Sequence, residues 1–265
     1  MMRASSARPA RARHAANDFS RPFWAAVRAE IRWAFTPPFT WLLGVLANLL
    51  LAAAVLAVQP LTPHGRHQDW VILVGTYFSS FILADVTTTN LLGADHHRVL
   101  RGLSEGTSLA RILAIKNLAL LVVVGLPTLT AAMVLTLIRE TPARLAVTIP
   151  NVAVPIVSWI GVGNAVSVLL PVASVPMIRR WRRRGGGQLM WWLVALSLPY
   201  GLYYVADPMD GLGHRLLWAQ VPAAIGPVLG RDTKSFVHLG IALGVWACAS
   251  AVACLWVSKR GLRMR

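Results

Sequence analysis

The stretch "GADHHRVLRGLSEGTSLARILAIKN", Gly93 to Asn117, sets the problem posed by this chain. It places two adjacent histidines, acids, arginines and three glycines between two long apolar runs. Asp95 suits a helix N-cap, His96 to Ser104 suit a short helix, and Gly102 and Gly106 loosen and end it. Ser108 then caps the next apolar run. Val99, Leu100 and Leu103 give the short helix an apolar edge, and Arg98, Arg101 and Glu105 a polar one. The histidines do not make a metal site. Helical ligands share a face at i, i+3 or i, i+4; those positions after His96 are Val99 and Leu100, and after His97 they are Leu100 and Arg101. Arg98 beside them repels a cation, so no metal is expected.

Working outward, the flanking runs define the class. Of 265 residues, 56% are hydrophobic and 14% charged, and mean hydropathy is +0.57. A soluble domain carries about 25% charge, so an all-α integral membrane protein is expected. Six segments reach the length a bilayer needs: roughly 40–58, 69–92, 110–138, 146–173, 188–206 and 236–257. The formal charge of +16 comes from 26 basic against 10 acidic residues. The basic residues flank the apolar runs, which points to topology and anionic lipid rather than nucleic acid. With the N-terminus inside, 20 basic residues fall on the inner side and six outside. The positive-inside rule therefore predicts six spans with both termini cytoplasmic. Cys248 and Cys254 lie six apart in one apolar run, about 9 Å along a helix axis, too far to bridge.

The expected organisation is a disordered basic cytoplasmic tail (1–18), an amphipathic interface helix (19–38), a six-span domain (39–258) and a second basic tail (259–265). In "RPFWAAVRAEIRWAFTPPF", Phe23, Trp24, Val27, Ile31, Ala34 and Phe35 fall on one helical arc, edged by Arg21, Arg28 and Arg32. This predicts a helix in the inner interface with its arginines at the headgroups. The competing interpretation is the cytoplasmic end of a long first span. The outer region 207–235 contains "LLWAQVPAAIGPVL", apolar but short and broken by Pro222 and Pro227. Such a run suits a re-entrant or interfacial element. Tyr200, Tyr203, Tyr204 and Trp218 are expected as outer-interface anchors. Pro127, Pro150, Pro155 and Pro171 should bend their spans. Gly240, Gly244 and Cys248 make a small-residue stripe suited to close helix contact, within the chain or between chains.

No GxxxxGK[ST] loop, HExxH, CxxC or GxSxG occurs, so none of those chemistries is available by its usual route. Asp85 is an acid well inside a span, a functional suspect by position, though it can also bond Thr87, Thr88 or Thr89. Asn90 and Asn164 add a sparse intramembrane polar set.

Taken together, these features resemble the membrane subunit of an ABC exporter of the ABC-2 type. "ADHHRVLRGLSEGTSLARILAIKNLAL" is similar to that family's charged helical loop and its entry into span three. "GVGNAVSVLLPV", with Gly163, Asn164, Ser167 and Pro171, is similar to its "GN..S...P" ending of span four. The loop departs from the family in lacking its usual central proline, having "SEGTS" instead. The resemblance implies a permease pathway for an amphipathic, lipid-like or drug-like substrate in a bacterial inner membrane. It implies two partners, a second permease subunit and a cytoplasmic ATPase dimer; ATP and Mg would sit on the ATPase, with no cofactor on this chain. It also implies that 93–109 is the coupling loop, with Asp95, His96, His97, Arg98, Arg101 and Glu105 joined by Arg28 and Arg32 of the interface helix. Two other functions are compatible with the residues: a lipid-modifying membrane enzyme using Asp95, His96 and His97, and a proton-coupled carrier using Asp85.

Overall fold

The computed structural model describes residues 19–36, 46, 50, 91–93, 95–170, 198, 201–206 and 233–262. Every regular element among them is helical. The expected spans at 40–58 and 69–92 fall almost wholly outside the described residues, and of 188–206 only 198 and 201–206 are described, all helical; Asp85, Asn90, Tyr200 and Trp218 also lie outside.

Helix α1 (Phe23–Ala34) begins after Pro22, whose ring fixes an extended entry, and ends at Phe35 just ahead of Pro37. Helix α2 (His96–Ser104) matches the expected boundaries. It closes through Gly106, whose φ of 86° only glycine adopts freely. The Gly106 amide donates to the Leu103 carbonyl (3.1 Å) and the Thr107 amide to the Gly102 carbonyl (2.9 Å). Ser108 caps helix α3 (Leu109–Leu120), its hydroxyl accepting from the Arg111 amide.

A wide π turn, Leu121–Gly125, joins α3 to helix α4 (Leu126–Arg139). Pro127 explains its position. The ring has no N–H to give the Val123 carbonyl and would clash with it, and one widened turn relieves both problems. The Thr128 hydroxyl donates to the neighbouring Val124 carbonyl at 2.8 Å. After the short 3-10 turn Pro142–Arg144, helix α5 (Leu145–Leu169) continues through both Pro150 and Pro155. Helix α6 spans Thr233–Arg260.

Among the described residues, three helices are long and apolar enough to cross a membrane: Leu109–Ile138, Pro142–Leu169 and Lys234–Arg260. They correspond to the expected third, fourth and sixth spans, with shifted ends. The fourth stops at Leu169 rather than 173, because Leu170 leaves helical geometry (φ −131°, ψ 58°). The sixth begins at Thr233, so 233–235 are helical rather than part of the outer region 207–235. It also continues two residues into the expected basic tail.

Helices α5 and α6 pack against each other along their length. They approach closely at Gly161, where a Cβ would come within 2.8 Å of the Trp246 Cα. Gly240 and Gly244 face open space and Cys248 is exposed. Among the described residues, nothing packs against the small-residue stripe.

Candidate functional site

The described residues concentrate their charge chemistry where α1, α2 and the first turns of α3 meet. Helix α1 carries one acid, Glu30, turned inward among Ala26, Val27 and Ala34. Helix α3 carries Arg111 in its first turn and, five residues further on, Lys116, 3% exposed. Lys116 Nζ donates to Glu30 Oε1 at 2.6 Å and to Asp95 Oδ1 at 2.9 Å. Arg98 completes a ring: Nη2 donates to Glu30 Oε2 and Nη1 to Asp95 Oδ2, each at 3.0 Å. Two carboxylates and two cations thus alternate, and each carboxylate oxygen accepts one bond.

The aromatic rings of Phe19 and Trp33 pack over the same cations. The Arg98 guanidinium lies 5.0 and 5.3 Å from the two ring centroids, and the Lys116 ammonium 5.7 and 5.4 Å. These distances are within cation–π range. Gly102 is buried under Phe19, and a Cβ there would lie 3.2 Å from the Phe19 ring. This glycine is thus a packing requirement of α2 rather than a loosening point. Arg111 ties down the chain before α1 by donating to the backbone carbonyls of Phe19 and Arg21.

The two carboxyls respond differently to this setting. Burial pushes Glu30 up, but Lys116 and Arg98 outweigh it and hold the group below the ordinary glutamate value. Burial also pushes Asp95 up; Lys116 and Arg98 pull it back, the Glu30 charge adds to the rise, and the balance stays above the ordinary aspartate value.

The anticipated coupling residues separate into two groups. Asp95 and Arg98 point inward, in the ring. Asp95 occupies the N-cap position without a side-chain capping bond, its carboxylate being committed to Arg98 and Lys116. His97, Leu100, Arg101, Ser104 and Glu105 are exposed and His96 is half-buried, its ring 3.8 Å from that of His97. At spacings of i, i+3, i+4, i+7 and i+8, the exposed five form one outward stripe on α2 and its end. Arg28 and Arg32 are exposed on α1, on the side away from Glu30.

The expected apolar arc of α1 is rotated. Ala26, Val27, Glu30 and Ala34 are buried, whereas Trp24 is 72% and Phe35 54% exposed. Sequence reasoning passed over Glu30 and treated Lys116 only as an inside charge. The available signal was a lone lysine in "RILAIKNLAL" and a lone acid flanked by apolar residues one turn away on each side.

Of the remaining candidates, Asn164 is fully buried, and its side-chain amide donates to the Ser250 hydroxyl at 2.8 Å, linking α5 to α6. Ser250 in turn donates to the Trp246 carbonyl. Tyr203 stacks on Trp159 with centroids 4.1 Å apart and planes 5° from parallel. Trp159 is near the middle of α5, so Tyr203 packs against the body of that helix rather than its outer end. Tyr204 is exposed.

No family model, curated protein or solved structure matches this chain.

Proposed function

We propose that the chain is the transmembrane permease subunit of an ATP-driven ABC-2 type exporter. In this proposal it has six spans with both termini cytoplasmic and resides in a bacterial inner membrane. It pairs with a second permease subunit and with a separate ATPase dimer that carries ATP and Mg. The cargo is amphipathic, lipid-like or drug-like.

The observation that supports this most is the ion ring. It fastens a short loop helix, α2, and an amphipathic helix, α1, to the base of a membrane-crossing helix, while α2 keeps a mixed polar stripe outward. A loop that only connected two spans would not need four buried charges, because burying them costs several kcal/mol per ion before pairing. A helix that must transmit force needs a stiff attachment. On this proposal the stripe from His97 to Glu105 meets the ATPase, and the ring passes its motion to span three.

The test uses the full-length chain as bait in its own cells, with an ABC ATPase as the expected co-purifying partner, comparing wild type with a Leu100→Asp/Arg101→Glu double variant. The ATPase should co-purify with wild type and be recovered at least about tenfold less with the variant, as expected when charge is reversed at an interface centre. Both forms should remain monodisperse. A wild-type chain that never retains an ATPase refutes the proposal.

A further inference from the structure

Helix α1 has two different faces. One holds Glu30 and is fixed to α3 through Lys116. The other carries Trp24, Arg28, Arg32 and Phe35, all exposed. At 100° per residue these four fall within an arc of about 80°. Arg28 and Arg32 make no ion pair among the described residues, and Glu30, the one acid of α1, is on the opposite side.

Position along the span sets where this face lies. Lys116 is seven residues into α3, about 10 Å from its start at 1.5 Å per residue. Helix α1 therefore packs at the end of a membrane-crossing helix, where hydrocarbon gives way to headgroups. Trp and Phe flanking two arginines suit that boundary: rings enter the acyl edge, and guanidinium forks engage phosphate. Among the described residues no acid pairs with Arg28 or Arg32, and residues 1–18 contain four arginines against one acid. A stripe of this kind facing solvent would leave two aromatic side chains in water.

We propose that the Trp24–Arg28–Arg32–Phe35 face binds anionic phospholipid headgroups in preference to zwitterionic ones. This separates α1 from α2: the anticipated coupling residues Arg28 and Arg32 engage lipid, and the α2 stripe is left for the protein partner. The proposal rests on the chain being a membrane protein, and does not depend on an ATPase.

The test uses the full-length chain alone in nanodiscs of phosphatidylcholine with phosphatidylglycerol, bromine being carried on the acyl chains of one lipid or the other. The chain has 11 tryptophans, so the Trp24 contribution is the difference between wild type and Trp24→Phe. Brominated phosphatidylglycerol should quench that contribution about twofold more than brominated phosphatidylcholine at equal mole fraction. In Arg28→Gln/Arg32→Gln the preference should vanish while quenching of the other tryptophans is unchanged. Equal quenching by both lipids in wild type overturns the proposal. So does quenching by neither lipid, including the case where an added ATPase shields Trp24 from aqueous iodide; that result would assign the face to protein. Because no ATPase is needed for the lipid measurement, its failure is separable from failure of the exporter assignment.

Discussion

The base of the molecule and its membrane body are held together by different physics. At the base, α1, α2 and α3 meet through four buried charges that alternate in sign. In the body, α5 and α6 meet through a glycine against backbone and the Asn164–Ser250 side-chain hydrogen bond. The body can lose polar contacts cheaply, because its helices fit by shape. The base cannot, because removing one charge strands the others where water does not reach. On the exporter proposal, the contrast suits a part that moves as a unit joined to one whose helices slide.

The strongest way to break this comparison is Lys116→Met. It leaves Glu30 and Asp95 facing each other with only Arg98 between them, and should cost about 3–5 kcal/mol. Thermal unfolding in detergent should show a large loss, beyond that of any substitution in the body. Next is Gly161→Leu, which puts a branched side chain where even a Cβ meets the Trp246 backbone at 2.8 Å. Overpacking of this kind costs about 1–3 kcal/mol, and cysteine cross-linking between α5 and α6 should fall.

Replacing the two acids sharpens the comparison. Glu30 is held below its ordinary value, so its contribution is present above the unfolded pKa and is lost as pH falls through the folded one. Glu30→Gln should therefore destabilise at neutral pH and remove part of the acid-induced loss. Asp95 is held above its ordinary value, so charging it opposes folding as pH rises through that raised value. Asp95→Asn should cost less than Glu30→Gln at neutral pH, and the gap between them should narrow on acidification. Melting temperatures from pH 4 to 8 check both signs. The smallest effect is expected in the body. Asn164→Leu removes the bond to Ser250 and should cost about 0.6 kcal/mol, the average for hydrogen bonds between membrane helices.

Much of this architecture was legible in the sequence because it is local. The α2 helix, its glycine stop at Gly106, the Ser108 cap and three of the spans all follow from patterns within a few residues of one another. The ion ring does not. Glu30 and Lys116 are 86 residues apart, and a pairing at that range leaves only a lone charge in an apolar setting at each end. The rotated face of α1 has a different cause. Its apolar residues serve two environments, protein on one side and the exposed face with Trp24 and Phe35 on the other. A helical wheel sums them into one arc. Gly102 shows the same limit: helix propensity marks it as a weak point, whereas its contact with Phe19 makes it a fitted one.

The central claim is that the ring makes α1, α2 and the base of α3 one mechanical unit, distinct from the α5–α6 body. Hydrogen exchange on wild type and Lys116→Met under native conditions tests this directly. Amides of α1 and α2 should lose protection together, by about tenfold or more, while those of α5 and α6 stay as in wild type. Loss confined to one of α1 and α2, or equal loss across the body, would contradict it.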